Sequence, residues 1–99
     1  MLKINGEVVE INRFPDGTLL LKQQVCWKEA TITWLFENNE EMVALIYLVG
    51  HLREYGVEKM FLEMPYIPNA RQDRTKEKED VFTLKYFAKT INALNFDGV

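Results

Sequence analysis

Two residue types on which much enzyme chemistry depends are nearly missing from this 99-residue chain, which holds one cysteine, Cys26, and one histidine, His51. A lone cysteine forms no intramolecular disulfide and builds no thiolate metal cluster, which fits a reducing compartment, and Cys26 reads as an ordinary thiol of a strand region. Without a second histidine there is no metal-ligand spacing, and any histidine-based triad would have to be built on His51. That residue lies inside a helical pattern with no acidic or nucleophilic partner at a telling spacing, so it reads as structural. Long hydrophobic runs are missing too. The longest, Met42 to Val49, falls far short of the roughly 20 residues that span a bilayer. The opening Met1-Leu2-Lys3-Ile4-Asn5-Gly6 has no basic region followed by an apolar stretch and a small-residue cleavage site. The expectation is a cytoplasmic protein with no membrane partner. Positive charge is scarce as well: 12 Lys and Arg face 15 Asp and Glu, a net charge of -3. That balance argues against a nucleic-acid partner, which a basic face would attract first, and leaves room only for a local arginine cluster to hold a small phosphate. There is no internal repeat and no low-complexity tract.

What is present is enough apolar mass, 47% of residues with 12% aromatic, for one packed core in a single domain over residues 1–99. The first third reads as β: Leu2 to Ile4, Val8 to Asn12 and Leu19 to Gln23 are short runs split by Asn5-Gly6 and Pro15-Asp16-Gly17, which predict an antiparallel meander. Ala30 to Phe36 is β-branched and aromatic, as expected of a strand buried on both faces. Asn38 or Asn39 then caps a helix whose first turn carries Glu40 and Glu41 and which runs to about Tyr55, stopped by Gly56. Its core stripe is Met42, Leu45, Ile46, Val49 and Leu52. Val43, Tyr47 and Leu48 make much of the remaining circumference apolar, which predicts a second buried face at a subunit interface. Lys59 to Met64 reads as a strand parallel to Ala30–Phe36, reached by a right-handed crossover. A second helix is expected from roughly Phe82 to Leu94, and Phe96-Asp97-Gly98-Val99 as the turn into a third parallel strand. Together these elements predict an α/β fold, the front half of a doubly wound parallel sheet.

The chemically informative stretch is Pro65-Tyr66-Ile67-Pro68-Asn69-Ala70-Arg71-Gln72-Asp73-Arg74, which begins at the carboxyl end of a parallel strand, where ligands bind in open α/β sheets. Arg71 and Arg74 offer forked donors to phosphate oxygens, Gln72 donates and accepts, and Asp73 can hold a guanidinium or the water of a bound cation. The same residues could instead form an arginine-carboxylate network that only staples the loop. Beyond it, Lys76 to Asp80 reads as a solvated charge run.

The strings Arg13-Phe14-Pro15-Asp16-Gly17-Thr18, Pro65-Tyr66 to Arg74 and Phe82-Thr83-Leu84-Lys85-Tyr86-Phe87-Ala88, in this order and spacing, resemble the N-terminal domain of the ribose-phosphate pyrophosphokinase (phosphoribosyl pyrophosphate synthetase) family. The resemblance implies a phosphoribosyltransferase-type sheet and, for the whole enzyme, Mg²⁺-dependent transfer of the diphosphoryl group of ATP to ribose 5-phosphate. It implies ATP contacts from Arg71 and Gln72, extended by Asp73 and Arg74. Phe14 matches the aromatic that packs on adenine and Asp16 the polar residue beside it, both reaching into a neighbouring subunit's site, so a homo-oligomer is implied. Thr18 stands where the family usually has glutamate. On the residues alone, Phe14 could equally be a turn aromatic capping the meander. The family's catalytic histidine, its lysine-arginine loop and its ribose-phosphate loop have no counterpart in these residues. No catalytic or metal-ligating residue is therefore assigned, and the chain is expected to be inactive alone and to hold no cofactor tightly. Two other readings stand beside this one: a catalytically silent homologue that binds a nucleotide or a synthetase subunit, and an unrelated α/β interaction domain.

Overall fold

The computed structural model describes residues 1–65 and 83–99. Its elements are β1 (Leu2–Ile4), β2 (Glu7–Val8), β3 (Asn12–Arg13), β4 (Leu19–Leu20), β5 (Glu29–Trp34), α1 (Glu40–Glu54), β6 (Lys59–Glu63) and α2 (Thr83–Ala93).

The first hairpin follows from its turn. Asn5 and Gly6 both take positive φ, 49° and 86°, the pair of angles that lets a two-residue loop follow the strand twist, and Ile4 lies opposite Glu7. The Asn5 side chain also accepts from the Thr31 N–H at 2.9 Å and so fixes the hairpin against β5. β1 pairs antiparallel with β5, Leu2 opposite Trp34, and the sheet order is β2-β1-β5-β6.

The single meander expected from the sequence is divided into two. β3 and β4 form a separate two-stranded sheet, Asn12 opposite Leu20. The chain leaves the main sheet because Val9 and Ile11 turn into the core, so the stretch expected as one strand from Val8 to Asn12 is broken between them.

β5 and β6 are parallel, with Ala30 opposite Met60 and Ile32 opposite Leu62, as the crossover predicts. α1 joins them. Its effective cap is Asn38, one of the two candidates: the Asn38 Oδ1 accepts from the Glu41 N–H at 3.1 Å while a Glu41 carboxylate oxygen accepts from the Asn38 N–H at 3.3 Å, a capping box. The helix closes at Gly56, φ +100°, with the Gly56 N–H on the Arg53 carbonyl and the Val57 N–H on the Leu52 carbonyl at 3.0 Å. Leu52 and Val57 are both buried under that turn. The buried set of α1 is Glu41, Ala44, Leu45, Leu48, Val49 and Leu52. Leu48 therefore joins the core, and Ile46, expected there, faces solvent.

Trp34 shows where both helices lie. Its indole N–H points to the Glu41 carboxylate on α1, and its ring meets Phe87 of α2 with centroids 5.9 Å apart. Both helices thus pack on the face that carries Ala30, Ile32, Trp34, Met60 and Leu62, and Phe87 and Ile91 of α2 enter the same core. On the opposite face Lys3, Thr31 and Thr33 are half-buried, and Phe61 and Glu63 are exposed. β5 is consequently buried on one face only, which corrects the expectation of two. The α/β class and the mixture of antiparallel and parallel strands are as expected, but among the described residues the sheet is covered on one side, where the front half of a doubly wound sheet was expected. The third parallel strand is present as a single bridge, Gly98 to Phe61, with the Leu62 N–H on the Gly98 carbonyl at 2.8 Å.

Candidate functional site

Two of the six residues expected at a ligand site, Phe14 and Asp16, fall within the described structure. Arg71, Gln72, Asp73 and Arg74 lie outside the described residues. The stretch containing them departs from the carboxyl end of β6, because Pro65 is the last described residue before it. Close to that end lies an apolar cavity of about 210 Å³ bounded by Met64, Leu84, Phe87, Ile91 and Val99. Among the described residues that line it, Asn92 is the one with a polar side chain.

The loop carrying Phe14 is built by its own sequence. Pro15 and Asp16 occupy the centre of a turn in which the Gly17 N–H reaches the Phe14 carbonyl at 2.9 Å and the Phe14 N–H reaches the Thr18 carbonyl at 2.8 Å. Gly17 takes φ +90°, a conformation that a side chain would oppose. Asp16 accepts from both the Thr18 hydroxyl, 2.7 Å, and the Thr18 N–H, 3.0 Å. Those two bonds, the hydroxyl first, hold the exposed Asp16 carboxyl below its ordinary range. Phe14 itself is 48% exposed, stands outside the core cluster and makes no ring contact among the described residues. An exposed phenyl on a rigid turn can stack on a planar ligand or pack on another chain.

Three polar features near this loop were not legible as such. Arg13 at its base donates through its guanidinium to both oxygens of Glu40, which ties the hairpin to the first turn of α1. Arg13 and Glu40 each carry a sequence signal, one as part of the motif and one as a helix-start acid, but nothing in their spacing pairs them. Glu41 is buried and gathers the Met1 ammonium, the Glu37 N–H at 2.7 Å, the Asn38 N–H and the Trp34 indole. Burial alone would raise its pKa, but the ammonium and these hydrogen bonds outweigh it and hold the carboxyl below its ordinary range. His51 points its Nε2 at the Gln23 carbonyl, 2.8 Å away, and thereby anchors the chain between β4 and β5. The shallow cleft of about 250 Å³ beside it is lined by Leu19, Leu21, Gln23, Tyr47 and Leu48.

The described residues thus form a mixed α/β unit with both described helices on one face of the sheet and an exposed aromatic turn, and in sequence an arginine-bearing stretch follows the parallel strand β6. The chain is 41% identical over 76 residues to the ribose-phosphate pyrophosphokinase of Thermococcus kodakarensis, a match covering 74% of this chain and 27% of that protein. It is 34% identical over 76 residues to that of Pyrococcus abyssi, again 74% and 27%. Ribose-phosphate pyrophosphokinase 2 of Archaeoglobus fulgidus is 28% identical over 92 residues, 93% of this chain and 31% of that protein. The chain is a relative of the ribose-phosphate pyrophosphokinases, aligned with an N-terminal portion of them. It spans less than a third of the length of the relatives it matches. No protein-family model matches it.

Proposed function

We propose that these residues form the ATP-binding N-terminal portion of a ribose-phosphate pyrophosphokinase with a phosphoribosyltransferase-type sheet, within one domain over residues 1–99. In this reading Arg71 and Gln72 contact the nucleotide, Arg71 through its phosphates, and Asp73 and Arg74 extend the same loop. Phe14 packs on adenine with Asp16 beside it, in the site of a neighbouring subunit of a cytoplasmic homo-oligomer. The observation that carries the reading is the kinship itself, which covers 74% of the chain at 41% identity and, at lower identity, 93% of it. The exposed Phe14 ring on a rigid turn is the local feature that supports it, since a stacking group must be preorganised and open.

The chain's own part in diphosphoryl transfer is positioning. Arginine forks neutralise and orient the oxygens of the phosphates, and the phenyl fixes the base, so that the leaving and attacking oxygens line up elsewhere in the whole enzyme. The resemblance assigns no metal ligand to this chain, and in this reading Mg²⁺ enters with the nucleotide.

In a full-length pyrophosphokinase carrying this segment, Arg71→Ala raises the KM for ATP about tenfold or more and that for ribose 5-phosphate much less. Steady-state kinetics with each substrate varied in turn checks this, and equal effects on both overturn the assignment. The 99 residues alone show no turnover. Saturable binding of a non-hydrolysable ATP analogue by this chain, without a catalytic partner, would favour the silent regulatory homologue.

A further inference from the structure

The turn from Phe14 to Thr18 carries one hydroxyl, and that hydroxyl is used inside the turn. Thr18 Oγ1 donates to Asp16 Oδ1 at 2.7 Å, and the Thr18 N–H reaches the same oxygen at 3.0 Å. A hydroxyl has a single hydrogen, so toward a ligand Thr18 keeps only lone pairs. The second carboxylate oxygen, Asp16 Oδ2, receives no hydrogen bond from another residue among the described residues. The two side chains therefore offer a ligand acceptors and no donor.

The hydroxyl is not what shapes the turn. The Gly17 N–H on the Phe14 carbonyl and the Phe14 N–H on the Thr18 carbonyl close it through backbone alone. What the hydroxyl fixes is the carboxylate. Asp16 is exposed, and an exposed side chain gives up rotamer freedom when a ligand contact holds it; here that freedom is given up in folding. The same bond is the first cause of Asp16 ionising more readily than an ordinary aspartate. Arg13, the cation of this loop, is committed to Glu40, so it is Thr18 that sets the carboxylate.

We infer that Thr18 is a positioning residue for the nucleotide base: it holds the Asp16 carboxylate with Oδ2 open, so that the turn offers a planar ligand the Phe14 face and a side-chain edge of acceptors only. The inference rests on the proposed reading of Phe14 and Asp16 as the base-binding turn. An acceptor-only edge suits a base that presents an amino group and leaves unpaired a carbonyl placed there.

Thr18→Val, which keeps the branched shape and the backbone bonds, and Thr18→Ser, which keeps the hydroxyl, test the inference in a full-length pyrophosphokinase carrying this segment. Steady-state kinetics are compared for ATP and for purine riboside triphosphate, which lacks the amino group. Thr18→Val should raise the KM for ATP about three- to tenfold with kcat nearly unchanged and leave the KM for the purine analogue where it is. Thr18→Ser should restore the wild-type value. In the 99-residue chain, carbon-13 NMR should show the Asp16 carboxyl titrating at higher pH in Thr18→Val than in wild type, because a bond that favours the charged form is gone. An Asp16 titration identical in the two overturns the inference, and so does a KM raised alike for both nucleotides. Phe14→Ala separates this failure from failure of the reading beneath it. If Phe14→Ala raises the KM for ATP and Thr18→Val does not, the positioning role alone falls; if neither raises it, the placing of this turn at the base falls as well.

Discussion

Glu41 is the residue whose chemistry is most distorted by the fold. A buried carboxylate survives only with partners, and here they come from four places: the first residue of the chain, the backbone before α1, the helix cap and the Trp34 indole. Its lowered pKa gives the sign of the pH dependence. A carboxyl that ionises more easily folded than unfolded stabilises the fold fully above the ordinary glutamate range, and the contribution disappears as pH falls through the lower folded-state value. Glu41→Gln should cost about 2–3 kcal/mol at neutral pH, because it removes a buried charge-assisted acceptor and leaves the ammonium with only the exposed Glu37 carboxylate, 3.6 Å away, as its counter-charge. Urea denaturation at a series of pH values checks this: the deficit should shrink on acidification, and a deficit constant down to low pH would contradict the role. Nothing in the local residue pattern announces this burial. Glutamate in a first helical turn is ordinarily a solvated dipole partner, and the N-x-x-E spacing from Asn38 to Glu41 is a capping signal that says nothing about depth.

At the scale of elements, turns and caps were the most readable features because their chemistry is local. Asn5-Gly6, Pro15-Asp16-Gly17 and Gly56 each do what their backbone freedom suggests, all three glycines with positive φ. Gly56→Ala should therefore destabilise by about 1–2 kcal/mol, the cost of a side chain in the left-handed region, read as a lowered denaturation midpoint with an unchanged slope. Strand pairing was less readable. Leu19 to Gln23 has a strand's composition, but its ladder ends at Leu20, and the meander divides at Val9 because long-range burial, not local propensity, decides where the backbone leaves the sheet. The face of α1 was ambiguous for a related reason. A helix apolar most of the way round does not announce which side is inside, so Ile46 and Leu48 exchanged roles. The proposed ligand residues rest on chemical type and on resemblance: an arginine pair after a parallel strand suits a phosphate, whereas the placement of Arg71 and Arg74 lies outside the described residues.

For the molecule as a whole, the two described helices are unequal. α1 buries five apolar residues and a carboxylate and is closed by caps at both ends, whereas α2 contributes Phe87 and Ile91 to the core. Native-state hydrogen exchange should show the α2 amides opening at a lower free energy than those of α1, β5 and β6; equal protection of the two helices would mean that the fold opens only globally. The asymmetry belongs to the architecture, since β5, α1 and β6 form a closed crossover of local contacts while α2 joins it through one face. Yet the first residue and α2 are joined through the same side chains. The Met1 ammonium touches Glu41, Glu41 receives the Trp34 indole, and the Trp34 ring lies on Phe87. Three side chains connect the first residue to the last helix. Because that chain of contacts spans nearly the whole sequence, it is among the most expensive in loop-closure entropy, and the indole becomes fully dry only after α1 and α2 are both seated. Trp34 therefore marks the end of folding and not its beginning.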